Sequence, residues 1–239
     1  MSTQRKIIFL HLPKTGGSSL VNILHQQYGL KQSALIAGDD DPGLKKAVQE
    51  SKALIHGHFT AKTLLETPDY FKATMLREAS DRLISRFVHI AHSEEERLRL
   101  EYTSYQSFED FLASTYADNW QCRMLAGIGH DGRVNEEVYM RAADNLFAMD
   151  WVATADCMPM ASLDLSLKLG FKSFYAPRLN TRSSQKMWQE INAKFRPAIA
   201  ELNRFDAQLV IEARALFHRH KNIPWSSRMK MTLKDLLSA

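Results

Sequence analysis

Short apolar runs alternate along this chain with longer segments in which apolar residues recur every three or four positions. Arg5-Lys6-Ile7-Ile8-Phe9-Leu10 is a compact run of β-forming residues closed by a Pro/Gly loop, the pattern of a buried parallel strand. Beyond the loop, Leu20, Ile23 and Leu24 fall at helical spacing, so the chain opens as strand, glycine loop, helix. The stretch Gly38-Asp39-Asp40-Asp41-Pro42-Gly43 is a turn-rich break. Ala53-Leu54-Ile55 predicts a second strand ending at His56-Gly57-His58, and Phe71 to Leu76 a third ending at Arg77. A helix follows, with Leu83, Ile84, Phe87, Val88, Ile90 and Ala91 on its apolar face and Arg82, Ser85, Arg86 and His89 on the remaining surface.

Residues 93–101 are dense in Glu and Arg and predict a solvated helix or lid. Helical patterns recur over 108–116, 135–147 and 184–218. A late strand is expected at 150–154, and a helix around 163–169 is stopped by Gly170. Short strands separated by helical segments predict one α/β domain over residues 1–239, with a mostly parallel central sheet flanked by helices.

Composition refines this picture without changing it. A chain of 239 residues can bury a core without metal or disulfide staples. Its 2 cysteines, Cys122 and Cys157, make no disulfide framework and have no metal-type spacing. The net charge of +4 suits a phosphorylated ligand, a polyanionic substrate or nucleic acid. No recognised nucleic-acid reader motif is present, and no nucleic-acid partner is expected. The apolar run at the N-terminus is too short for a secretory h-region, and no run of eighteen apolar residues occurs. A cytoplasmic location and no membrane span are the expectation.

Chemistry concentrates in three places. In the loop Pro13-Lys14-Thr15-Gly16-Gly17-Ser18-Ser19, a strand-to-helix turn aims backbone N–H groups and the positive end of the helix dipole at one spot. Gly16 and Gly17 permit close approach of an anion, Lys14 adds a charge, and Thr15, Ser18 and Ser19 add hydroxyls. A nucleoside triphosphatase loop would carry its lysine after the glycines. Here Lys14 precedes them, so the loop is P-loop-like without the triphosphatase spacing. Arg77 sits at the C-terminal end of a predicted strand, where open α/β sheets bind ligands. Ser85 lies two turns into the next helix, and the two could grip a second phosphate, with the arginine as a bidentate fork. Capping and a salt bridge of Arg82 with Glu78 are the plainer alternative for this segment, and the one preferred for Arg86. His56-Gly57-His58 offers histidines that titrate near neutrality. A His-x-His metal pair is the other option, but no third ligand stands at recognisable spacing, and no metal site is expected.

Taken together, these residues resemble the carbohydrate sulfotransferases that use 3′-phosphoadenosine 5′-phosphosulfate (PAPS), in particular the heparan sulfate 2-O-sulfotransferase-like group, in the form of a bacterial member. His11 to Ser19 is similar to that family's 5′-phosphosulfate loop. Arg77 to Phe87 is similar to its 3′-phosphate element, R-x-P-x-x-R-x-x-S, with Ala79 in the place of proline. Asn119 to Leu125, Trp151 to Leu169, Leu179-Asn180-Thr181 and Asn203 to Asp206 resemble further family segments. The resemblance implies PAPS as the cofactor, bound by Lys14, Thr15, Gly16, Gly17, Ser18, Ser19, Arg77 and Ser85, with Asn180 and Thr181 near it. It implies His58 as general base, His56 as a nearby acceptor-contacting or supporting residue, and Lys14 as stabiliser of the leaving phosphate. The acceptor implied is a carbohydrate or glycolipid hydroxyl, attacked in line. The rival readings are a nucleotide-dependent kinase with an atypical phosphate loop, and a nucleotide- or glycan-binding module without turnover.

Overall fold

A computed structural model describes residues 5–92, 107–171 and 185–220. The strands are β1 (Ile7–Leu10), β2 (Ser33–Ile36), β3 (Leu54–Gly57), β4 (Phe71–Leu76) and β5 (Trp151–Thr154). All pairings are parallel and the order is β2-β3-β1-β4-β5. The helices are α1 (Gly17–Tyr28), α2 (Gly43–Gln49), α3 (Lys62–Leu65), α4 (Ala79–His92), α5 (Phe108–Leu112), α6 (Trp120–Ala126), α7 (Glu136–Phe147), α8 (Met158–Lys168), α9 (Gln185–Leu202) and α10 (Arg204–His220). The expected α/β class with a parallel sheet is what the chain adopts.

Pleating sorts the strand residues onto two faces. Ile7, Phe9, Leu54, Ala73, Met75 and Ala153 pack with α1 and α8 in one cluster. Ile8, Leu10, Ile55, Leu76 and Val152 pack with residues of α2, α6, α7 and α10 in a second. A third cluster joins α4, α5 and α9 through Leu83, Ile84, Phe111 and Ile199. Because both faces are covered, the central strand β1 reads as a continuous apolar run.

Several expectations are corrected. Strand β2 is absent from the sequence reading, since Ser33-Ala34-Leu35-Ile36 is short and lies at the sheet edge, where Leu35 is exposed. The second predicted strand extends beyond Ile55 through His56 and Gly57, because both pair with β1 and β2. The helical pattern of 184–218 breaks at Asn203 into two helices, and that of 108–116 closes after Leu112. Arg82, expected on the outer surface of α4, is only 1% exposed. Its charge acts on buried Asp206 of α10, and the Glu78 side chain accepts the Asp81 N–H. Ala91, placed on the apolar face, is exposed. The expected lid at 93–101 lies outside the described residues.

Candidate active site

The order of strands decides where the site falls. From β1 the chain runs outward to β2, returns to β3 beside β1, then crosses to β4 on the other side. Loops leaving neighbouring strands diverge at such a reversal and leave a crevice at the carboxyl ends. The segments following β3, β1 and β4 are those carrying His58, Lys14 to Ser19, and Arg77.

The loop after β1 is tightly built. Lys14 takes φ 68° and Gly16 φ 86°, two left-handed turns separated by Thr15. Gly16 is the N-cap of α1 and has no side chain to cover the helix end. No acidic residue occupies the first turn of α1, so its N-terminal amides present an unopposed positive field. Thr15 departs from expectation. Its side chain is fully buried and its hydroxyl donates to the Leu12 carbonyl at 2.8 Å, which braces the loop instead of offering a donor to a ligand. Ser18 is exposed and Ser19 half-buried at the start of the helix.

Arg77 links this loop to the next strand end. Its Nη1 donates to the Lys14 carbonyl at 3.2 Å, and its Nη2 contacts the Asp81 carboxylate at 3.3 Å. The backbone of Arg77 is held at both polar atoms by one side chain. Gln121 Oε1 accepts the Arg77 N–H, and Gln121 Nε2 donates to the Arg77 carbonyl, each at 2.9 Å. Gln121 is fully buried. Its own N–H donates to Asp206 Oδ2 at 3.1 Å, and that of Cys122 donates to Asp206 Oδ1 at 2.7 Å. Asn119 returns the favour to α10, its Oδ1 accepting the N–H groups of Phe205 and Asp206. Helices α6 and α10 thus cap one another through buried side chains, and the joint fixes the register of Arg77. Asn119, Gln121, Asn203 and Asp206 carry no role in the sequence reading beyond their resemblance to family segments. Their signal was available there: polar residues embedded in apolar helical stretches. Ser85 is half-buried on α4, two turns beyond Arg77.

The two histidines of His56-Gly57-His58 separate sharply. Gly57 lies so close to β2 that a Cβ there would stand 1.8 Å from the Ile36 carbonyl oxygen. His58 is exposed, and its Nδ1 lies 2.6 Å from the His11 carbonyl oxygen. A carbonyl only accepts, so the neutral ring carries its proton on Nδ1 and Nε2 is the basic nitrogen. The His58 ring packs 4.7 Å from that of His11. His56, by contrast, is 6% exposed on the α1 side of the sheet, with its Nε2 3.0 Å from His25 Nε2. Burial first, then the charges of His25 and His58, lower its pKa to about 4. Its ring is thus enclosed between the sheet and α1. Asn180 and Thr181 lie outside the described residues. Among the described residues no group of three or more His, Cys, Asp or Glu is placed to hold a metal ion, and no helix is long and apolar enough to cross a membrane.

A strand-loop-helix turn, an arginine hydrogen-bonded to it and an oriented histidine at the next strand end therefore lie at one edge of the sheet. The family model for the sulfotransferase family matches residues 1–209, and the chain belongs to that family. No curated protein matches it. Among solved structures it is similar to mouse sulfotransferase SULT7A1 complexed with PAP, at 12% identity and a TM-score of 0.47, over 81% of this chain and 65% of the mouse chain. It is also similar to a sulfotransferase from Alicyclobacillus acidocaldarius, at 18% identity and a TM-score of 0.40, over 85% of this chain and 96% of that one. The chain therefore spans just under two thirds of the mouse protein's length.

Proposed function

We propose that the chain transfers a sulfuryl group from PAPS to the hydroxyl of a carbohydrate or glycolipid acceptor, with His58 as general base. The observation that carries this reading is the placement of His58, the Lys14–Ser19 loop and Arg77 on three adjacent strand ends, with the Arg77 guanidinium already hydrogen-bonded to the loop. The residues fit the donor. Helix α1 begins without an acidic side chain, Gly16 leaves its N-terminus without a covering side chain, and Lys14 supplies a cation. Arg77 and Ser85 would hold the 3′-phosphate, and the loop the 5′-phosphosulfate.

PAPS supplies an activated sulfuryl group. The bond from sulfur to the 5′-phosphate oxygen breaks, a bond from sulfur to the acceptor oxygen forms, and the acceptor proton passes to His58 Nε2. Lys14 and the amides of α1 take up charge arriving on the departing phosphate oxygen. Donors fixed in place before reaction commonly provide the largest catalytic contribution. Arg77 serves registration rather than chemistry, which is why its backbone is pinned by Gln121.

Calorimetric titration with 3′,5′-adenosine bisphosphate (PAP) and, separately, with Mg-ATP tests the reading. Saturable binding of PAP without magnesium, and at least about tenfold tighter than ATP, is expected from a site with a dedicated 3′-phosphate ligand. Preference for Mg-ATP would transfer the chain to the kinase reading.

A further inference from the structure

His11 is the residue where two of the site elements, the end of β3 and the start of α1, meet. It follows β1 directly, and its N–H donates to the Gly57 carbonyl at 3.0 Å. Its own carbonyl accepts from His58 Nδ1 at 2.6 Å. The main chain of His11 is therefore tied to Gly57, the last residue of β3, and to His58, which follows it. Its half-buried ring is tied as well. On one side lies the His58 ring, centroids 4.7 Å apart and planes inclined by 38°. On the other lies the first residue of α1. A Cβ at Gly17 would stand 2.2 Å from His11 Cδ2 and 2.5 Å from His11 Nε2. The imidazole thus occupies the space a side chain would need at position 17, with its Cδ2–Nε2 edge against the helix start. The base and the anion cradle touch the same ring from opposite sides.

The surroundings also define the ring's charge. Burial, followed by His58, His56 and Lys14, lowers the His11 pKa to about 3, so the ring is neutral at neutral pH. A neutral imidazole offers one N–H donor and one acceptor. An imidazolium 4.7 Å from His58 would oppose the arrival of a proton on that base, whereas a neutral donor does not.

We propose that His11 is a second imidazole of the transfer site, its Nε2–H donating to a sulfuryl oxygen held in the Lys14–Ser19 loop while its ring sets the attitude of His58. The inference rests on the PAPS reading above. His11 keeps its proton throughout, and the acceptor proton still goes to His58.

PAPS and PAP differ by the sulfuryl group, so their affinities isolate this contact. Both are titrated calorimetrically into the wild type, His11→Phe and His11→Gln, with thermal melting to confirm folding. Phenylalanine fills the same space without an N–H, and glutamine restores a donor without the ring. His11→Phe is expected to weaken PAPS by about tenfold while leaving PAP within about twofold, and His11→Gln to recover most of the lost PAPS affinity. Equal loss of PAPS and PAP affinity in His11→Phe, or no loss of either, overturns the His11 contact and leaves the donor assignment standing. A folded wild type that binds neither PAPS nor PAP overturns both.

Discussion

Two histidine pairs flank the end of β3 and meet opposite fates. His58 and His11 lie on the open side of the sheet edge, ring against ring, with the tautomer of His58 set by a main-chain carbonyl. His56 and His25 lie against the sheet under α1, joined Nε2 to Nε2 at 3.0 Å. In this pair one nitrogen must donate and the other accept, so the bond is lost once both rings are protonated. A single glycine separates His56 from His58. Strand alternation sends the first into the packed interior, and release from the strand leaves the second at the crevice. Residue type is therefore a poor guide to role here. Position relative to the end of the pleat decides it.

The largest expected effect breaks the comparison outright. His58→Ala should lower turnover with labelled PAPS by about 10²–10⁴-fold, the contribution of a positioned base, with little change in melting temperature. His56→Ala should do the reverse, retaining turnover and losing on the order of 1–3 kcal/mol of stability, because it opens a cavity and strands His25. Similar turnover losses in the two variants would erase the distinction.

A smaller effect attacks the exposed pair from the loop. In Gly17→Ala the new methyl must displace the His11 ring, and with it His58, since the existing space is 2.2 Å to Cδ2. Misplacement of this kind costs about a hundredfold in turnover, measurable at saturating PAPS. Arg77→Ala, on the far side of the cradle, should weaken PAP binding by about 10–100-fold in calorimetry, the value of hydrogen bonds to a charged group.

The mildest test is pH. His56 titrates at about 4 in the folded chain against 6.5 in the ordinary range, so between those values the unfolded chain binds a proton that the folded chain refuses. Stability is full above pH 6.5 and falls as pH drops toward 4, by on the order of 3 kcal/mol for this group. His11, lowered for the same reason, adds to the fall over an overlapping window. Urea unfolding at pH 7 and pH 4.5 measures the slope, and His56→Phe should flatten it.

Legibility followed burial pattern and local chemistry. Strands β1, β4 and β5 were readable because short, mainly apolar runs mark strands covered on both faces, and β4 ends at Leu76, just before Arg77. Edge strand β2 was not, since only Ile36 of its four residues is buried and so short a segment carries no such signal. The loop from Lys14 to Ser19 was visible as a glycine turn between strand and helix, whereas the bond by which the Thr15 hydroxyl braces it against Leu12 was not. Arg82 shows the same limit. Amphipathic spacing placed it on the outer surface, and packing of α4 against α9 and α10 buried it beside Asp206.

By itself the sequence determined the α/β class, the cradle at Lys14 to Ser19, the arginine at a strand end and a histidine able to act as base, because each follows from residue types within a few positions of one another. Tertiary structure alone decided which histidine faces the crevice, that His11 stands between base and cradle, and that Gln121 and Asp206 hold Arg77 in register. The contacts of His25 with His56, of His11 with His58, and of Gln121 with Arg77 and Asp206 join groups 31, 47, 44 and 85 residues apart in the chain, and no local pattern specifies a contact across such distances. Only the parallel pairing of β3, β1 and β4, and the mutual capping of α6 and α10, bring them together.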